Sequence, residues 1–352
     1  MSSVELRGLT KHFPGVTALK DVSFSINDGE FFVLLGPTGA GKTTTLRIIA
    51  GLEKQDEGSV IFDGQPMDSA TPADRDIAFV FQQYSLYPTM SVYDNLAFPL
   101  RSPLRKMPED EIKKRVEAAA EILRIGHLLT RKTARLSGGE MQRVSIGRAF
   151  VRNPRIFLMD EPLSNLDAKL RESLRVELKH IQKTQKSTTL FVTHDQIEAL
   201  TMADRIGVLR EGQIVQVGAP QDIYDRPTTT FVAQVVGTPR INLFEANRED
   251  STLYIKDSNL HLPAPSASLP SPLLVGIRPE DVKPDPQGKF IGKLTLTEPL
   301  GVETILHIET GRQTLLSLVP GMTTVRIGDE VRFNIVQEKL HCFRMDKKRI
   351  QA

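Results

Sequence analysis

The run Gly36-Pro37-Thr38-Gly39-Ala40-Gly41-Lys42-Thr43 lies between an unbroken apolar stretch, Phe31-Phe32-Val33-Leu34-Leu35, and a helix-forming segment that reaches Ala50 before Gly51. Five apolar residues in succession read as a strand buried on both faces, as in a parallel sheet. A glycine-rich turn from such a strand into a helix restricts the chain to an α/β domain with an anion site at the turn. Backbone N–H groups surround phosphates only where side chains are missing, hence Gly36, Gly39 and Gly41. Lys42 is placed to reach the β- and γ-phosphates, and the Thr43 hydroxyl to join a Mg²⁺ shell.

The same alternation of short apolar runs and helical stretches continues from residue 4 to about 235. Residues 77–81, 156–159, 190–193 and 206–209 are further buried-strand candidates. Residues 90–148 interrupt the alternation and read as helical. Pro108 suits a first helical turn, Ile112, Val116, Ala119 and Leu123 share one face, and Gly126 offers a stop. A second amphipathic helix begins at Asp167, with Leu170, Leu174, Leu178 and Ile181 along its buried stripe. The expected layout is an α/β nucleotide-binding domain over 1–235, with a helical subdomain at about 88–150. A β-rich domain follows over 236–352. Residues 263–272 of that domain are rich in proline and serine, and Val331-Arg332-Phe333-Asn334-Ile335 alternates in the strand period.

Two strand ends and one helix start carry further chemistry. Asp160 and Glu161 follow Ile156-Phe157-Leu158-Met159, where one carboxylate suits Mg²⁺ and the next suits an attacking water. His194 follows Leu190-Phe191-Val192-Thr193 and precedes Asp195, a helix-capping residue. It reads either as a γ-phosphate contact or as a structural histidine. Ser137-Gly138-Gly139-Glu140 opens another helix and reads either as a plain cap or as a second anion site. One nucleotide does not need two such sites in one chain. A twofold dimer, in which each copy closes on its partner's nucleotide, accounts for both.

The bulk properties exclude several classes. With 45 basic and 43 acidic side chains well mixed, the chain lacks the basic stripe of a nucleic-acid binder. Cys342 is the single cysteine, so an intramolecular disulfide and a cysteine-cluster metal site are both excluded. No apolar stretch reaches the roughly 18 to 20 residues needed to span a bilayer, and the first residues carry no signal pattern. A cytoplasmic location is therefore expected.

In order and content, the glycine loop, Gln82, Leu136-Ser137-Gly138-Gly139-Glu140, Met159-Asp160-Glu161, Ser164-Asn165-Leu166-Asp167 and His194 resemble the ATPase subunit of an ATP-binding-cassette (ABC) transporter. The resemblance implies that Pro37, Thr38, Ala40 and Thr44 also line the nucleotide and that Phe13 stacks on adenine. It makes Gln82 the sensor of γ-phosphate and Mg²⁺, and counts Gln82 with Lys42, Glu161 and His194 as the catalytic groups. It also implies that Ser137, Gly138, Gly139 and Asp167 act across a dimer. Glu140 and Met141 depart from the family pattern, which more often has glutamine at 140. Gln83 beside Gln82 leaves the sensor's register to be settled by its following Phe81.

Phe81-Gln82-Gln83-Tyr84-Ser85-Leu86-Tyr87-Pro88 and Val275-Gly276-Ile277-Arg278-Pro279-Glu280 extend the resemblance to carbohydrate importers of the maltose type. Those carry an oligonucleotide-fold-like regulatory domain at the C-terminus. The partners implied are a second copy, two transmembrane permease subunits docking near residues 82–100, and indirectly an extracellular solute-binding protein. The location implied is the cytoplasmic face of the membrane, with ATP and Mg²⁺ as cofactors and no nucleic acid. Import of another solute class, such as a polyamine or inorganic anion, and a non-transport ABC ATPase are the alternatives.

Overall fold

The computed structural model describes residues 2–103, 107–323 and 325–350. Its backbone contacts divide it into two units, Met1–Gln221 and Asp222–Ala352.

The first unit begins with β1 (Val4–Phe13), β2 (Val16–Ile26), β3 (Phe31–Leu35), α1 (Lys42–Ala50), β4 (Glu57–Phe62), β5 (Gln65–Pro66) and β6 (Ile77–Val80). Helices α2 (Val92–Ala97), α3 (Glu109–Ile122) and α4 (Gly138–Phe150) come next. The unit then resumes its alternation with β7 (Ile156–Asp160), α5 (Ala168–Gln185), β8 (Thr189–Thr193), α6 (Gln196–Met202), β9 (Arg205–Arg210) and β10 (Gln213–Gly218). Six strands form one sheet in the order β10-β9-β3-β8-β7-β6, and only β10 runs antiparallel to its neighbour. A second, antiparallel sheet has the order β2-β1-β4-β5. One buried cluster joins Leu6, Leu9 and Val60 of that sheet to Ile48 and Ile49 of α1 and to Leu34, Leu158 and Leu190 of the parallel strands. Burial of each such side chain contributes about 1.5–3 kcal/mol. All five residues of β3 are buried, as an apolar run of that length requires.

The register of the parallel sheet positions the site. Leu35 lies level with Thr193, and Asp160 level with Val192. The chain therefore leaves β3, β7 and β8 side by side, delivering the glycine loop, Glu161 and His194 to one edge. Val80 of β6 pairs with Met159, so Gln82 emerges nearby. This is the carboxyl end of the strands, where open α/β sheets hold their ligands.

In the helical stretch, Pro108 caps α3, and Ile112, Val116, Ala119 and Leu123 are buried together. Residues 104–106 of that stretch lie outside the described residues. The helix stops earlier than Gly126. Arg124 takes the left-handed conformation (φ 56°), and the Ile125 N–H returns to the Ala120 carbonyl. Burial of Leu123 and Ile125 on either side of Arg124 holds the turn there, and Gly126 instead opens a 3-10 turn.

The second unit contains α8 (Thr230–Val235) and, with the end of α7 (Pro220–Asp225), precedes two five-stranded sheets. The first consists of β11 (Asn242–Glu249), β12 (Thr252–Ile255), β13 (His261–Pro263), β14 (Leu273–Ile277) and β20 (His341–Phe343). The second consists of β15 (Val282–Pro284), β16 (Phe290–Pro299), β17 (Glu303–Thr310), β18 (Gln313–Pro320) and β19 (Glu330–Ile335). Their inner faces share one apolar core.

The contact break at Gln221 precedes the composition break near 235, because Arg278 fastens the intervening segment to this unit. Its guanidinium donates to the carbonyls of Tyr224 (2.9 Å), Ala233 (3.0 Å) and Val236 (2.6 Å) and lies 4.0 Å from the Tyr224 ring centroid. Burial depresses its affinity for a proton, and the three carbonyls and the ring face offset that cost.

Candidate nucleotide site

Helix α1 begins at Lys42 with Gly41 as its cap, at φ 104°. Only glycine tolerates that conformation easily, and a Cβ there would also lie 2.6 Å from the Ala18 carbonyl. The Gly36 and Ala40 N–H groups are taken by the Thr193 (3.4 Å) and Pro37 (3.2 Å) carbonyls, and the rest of the loop sits at the positive end of α1. The Lys42 ammonium is folded back over the loop, donating to the carbonyls of Gly36 (2.9 Å) and Pro37 (3.0 Å). It also lies 3.3 Å from the Glu161 carboxylate.

The two adjacent acids have different surroundings. Asp160 ends a fully buried strand, and its carboxylate accepts the Thr43 hydroxyl at 3.0 Å. Desolvation raises its proton affinity, with the charge of Glu161 adding to the effect. A carboxylate destabilised by burial and standing beside a hydroxyl suits a hard divalent cation. Among the described residues there is no cluster of three or more His, Cys, Asp or Glu. A cation here would therefore take Asp160, Thr43 and oxygens from nucleotide and water, as Mg²⁺ commonly does.

Glu161 departs from strand geometry at φ 43°, with its N–H still donating to the Val192 carbonyl at 3.0 Å. This left-handed step turns the side chain toward Lys42 and His194. His194 Nδ1 is 3.0 Å from its carboxylate, and the histidine is half exposed. A carboxylate held between an ammonium and an imidazole at the mouth of a phosphate loop is placed to orient or deprotonate a water.

Gln82 is exposed, with its side-chain Nε2 3.5 Å from the Ser164 hydroxyl and its backbone carbonyl accepting from Asn165 Nδ2 at 3.3 Å. The glutamine directly after Phe81 thus meets the turn that precedes α5. Asp167 caps α5 by accepting the Leu170 N–H at 3.0 Å and is itself exposed. Phe13 is exposed at the end of β1, with the Lys11 ammonium 5.1 Å from its ring. A core role for that ring is excluded.

Ser137 caps α4, and both halves of a capping box form with Glu140. The Glu140 carboxylate accepts the Ser137 N–H at 2.8 Å and its hydroxyl at 2.9 Å, which keeps the acid well ionised. A Cβ at Gly139 would press on the end of the Leu170 side chain of α5, which would have to shift. None of the cited contacts brings the tip into the chain's own glycine loop. The cap is thus the role the structure shows, with Ser137 itself exposed.

Two positions that sequence reasoning did not single out support the site. Arg148 of α4 donates to the carbonyls of Ser85 (2.7 Å) and Tyr84 (3.4 Å), bracing the segment after Gln82. Arg171 of α5 donates to three carbonyls of the turn before it.

A model of the ABC transporter family matches residues 19–164, and one of the TOBE domain matches residues 275–343. The trehalose/maltose import ATP-binding protein MalK of Thermococcus litoralis is 44% identical, with 97% of this chain and 98% of that protein covered. The chain belongs to the ABC importer ATPase family. The sn-glycerol-3-phosphate import ATP-binding protein UgpC of Psychromonas ingrahamii is 43% identical, over 98% of this chain and 95% of that protein. Among solved structures, the dimeric bacterial ABC transporter cassette MJ0796 has a TM-score of 0.56 and 33% identity, covering 62% of this chain and 98% of that one. The same cassette was also solved in a post-hydrolysis state with ADP and Pi. This importer ATPase thus binds and hydrolyses ATP on an α/β cassette and carries an OB-like TOBE domain. Among the described residues no helix is long and apolar enough to cross a membrane.

Proposed function

We propose that this chain powers uptake of a carbohydrate or a related polyol phosphate through separate permease subunits, from the cytoplasmic face of the membrane. Relatives named for trehalose/maltose and for glycerol-3-phosphate import support that solute class. In this reading Gly36 to Thr44 hold the phosphates, Phe13 stacks on the base, and Lys42 leaves Glu161 to pair with the γ-phosphate. Glu161 takes the proton of the attacking water while His194 holds its carboxylate. Asp160, Thr43 and Gln82 would hold Mg²⁺, which would supply charge neutralisation to the phosphates. Ser137, Gly138, Gly139 and Asp167 complete the nucleotide site of a second copy of this chain.

One observation carries the coupling to transport. Beside the Gln82 segment lies a groove of about 790 Å³ lined by Phe79, Phe81, Tyr87, Phe98 and Arg148. Phe98 and Tyr87 are exposed, with ring centroids 4.5 Å apart. An aromatic groove with Arg148, Arg152 and Asp76 at its wall suits a short amphipathic helix, here one from a permease. Its occupant would press on the segment that Arg148 ties to α4. Phe98→Glu is expected to abolish co-purification with the permease subunits while nucleotide affinity stays within about twofold, as for a change remote from the phosphate loop. Intact assembly of that variant would refute the docking site.

A further inference from the structure

The side chain of Arg171 reaches back from α5 over the turn that precedes it. Nε donates to the Leu163 carbonyl at 3.2 Å, and Nη2 donates to those of Ser164 (3.3 Å) and Leu166 (3.1 Å). Nη1 lies 3.5 Å from the Asp195 carboxylate. Three backbone carbonyls of one turn and a carboxylate from a different strand end thus converge on one planar cation.

Both ends of this link matter to the site. Asp195 directly follows His194 and caps α6, accepting the N–H groups of Ile197 (2.7 Å) and Glu198 (3.3 Å). Its own N–H is held by the Thr193 hydroxyl at 2.9 Å, and that hydroxyl donates to the buried Glu198 at 2.5 Å. The residues on either side of the histidine are therefore fixed, and Arg171 reaches one of them, Asp195. At the other end, the Ser164 hydroxyl donates to the Glu161 carbonyl at 2.9 Å, and Asn165 donates to the Gln82 carbonyl. Asn165 and Asp167 are exposed, so the turn is open to a neighbouring molecule.

We infer that Arg171 is a positioning residue that locks turn 164–167 to the segment bearing His194, so that pressure on the turn from a second copy reaches the histidine and, through it, Glu161. The inference rests on the site roles proposed above. The fork geometry is essential. A guanidinium presents five donors in one plane and spans several acceptors at once, which a lysine ammonium on its flexible stem does not. Arg171→Lys keeps the charge and loses the span.

The test uses the full chain. Arg171→Lys should lower kcat by about tenfold or more, the scale of a misaligned reacting group, with the KM for ATP and the affinity for a fluorescent ATP analogue within about twofold of the parent. Asp195→Asn should lower kcat by about threefold, and the double variant should match Arg171→Lys to within about twofold, because both act through one contact. A merely structural arginine would instead lower the melting temperature and nucleotide affinity together. Unchanged kcat in Arg171→Lys, or a double variant whose loss is the product of the two singles, overturns the inference. If Arg171→Lys does not fold, Asp195→Asn carries the test, and unchanged kcat there overturns it equally. An unaltered parent that fails to hydrolyse ATP would instead overturn the site assignment itself.

Discussion

Replacing Glu161 by glutamine should shift two measurable quantities in opposite directions. The carboxylate lies 3.3 Å from Lys42, whose side chain is 5% exposed, and is itself 16% exposed. At an effective dielectric of about 20, the gross attraction at that distance is about 5 kcal/mol. Most of it is offset by the desolvation of both ions, leaving about 1 kcal/mol net. ATP must displace this contact to claim Lys42, so Glu161→Gln should tighten ATP binding by about fivefold. The same change removes the proton acceptor and should slow hydrolysis by about 10² to 10⁴. The amide is isosteric and still accepts the His194 contact in one tautomer, so the fold should be kept. Equilibrium titration with a fluorescent ATP analogue and a phosphate-release assay on the same preparation read both effects. Weaker ATP binding, or turnover within about tenfold of the parent, would refute the reasoning.

Two further outcomes follow from the same geometry. Glu140→Gln keeps an acceptor for the Ser137 N–H and hydroxyl but removes a negative charge from the tip proposed to meet a partner's γ-phosphate. ATP-dependent self-association should then begin at about two- to fivefold lower ATP, while the melting temperature falls slightly as α4 loses about 0.3–1 kcal/mol of dipole stabilisation; a higher ATP requirement would contradict this. In the TOBE unit, His341 is buried with no partner for Nδ1 among the described residues, and desolvation, with the charges of Arg278 and Arg349, lowers its pKa to about 4. Its folded-state pKa lies below that of the unfolded chain, so the unfolded state binds the extra proton between pH 6.5 and 4. Stability present above the upper value is therefore lost as pH falls through that window, by up to about 3 kcal/mol. His341→Leu should flatten this slope in denaturant titrations at pH 7 and pH 5, and an unchanged slope would contradict the assignment.

Much of the site was legible in the chain because its parts lie at the ends of wholly apolar runs. Phe31–Leu35 and Ile156–Asp160 could only be central strands, and their parallel pairing brings Gly36, Glu161 and His194 to one edge. Capping chemistry was equally visible at Ser137, Asp167 and Asp195, where side chain and backbone lie within a few residues of each other. Contacts between a long side chain and distant carbonyls leave no such trace. Arg148 and Arg278 reach backbone on other elements, and Arg171 folds back on the turn before its own helix, and no spacing rule marks them. The end of α3 was misplaced for a related reason. Gly126 is the better left-handed residue, but burial of Leu123 and Ile125 assigned that conformation to Arg124. The left-handed step at Glu161, which separates its role from that of Asp160, is likewise set by the Val192 carbonyl across the sheet and not by the residue itself.

The central claim is that a nucleotide held by one copy is closed over by the Ser137 tip of another. Sedimentation of Glu161→Gln with and without Mg²⁺ and ATP tests it most directly, with Ser137→Arg added as the blocking change. A twofold rise in mass on adding ATP, abolished by Ser137→Arg while ATP still binds, is the predicted result. An unchanged monomer mass at saturating ATP, or a dimer indifferent to Ser137→Arg, would contradict it.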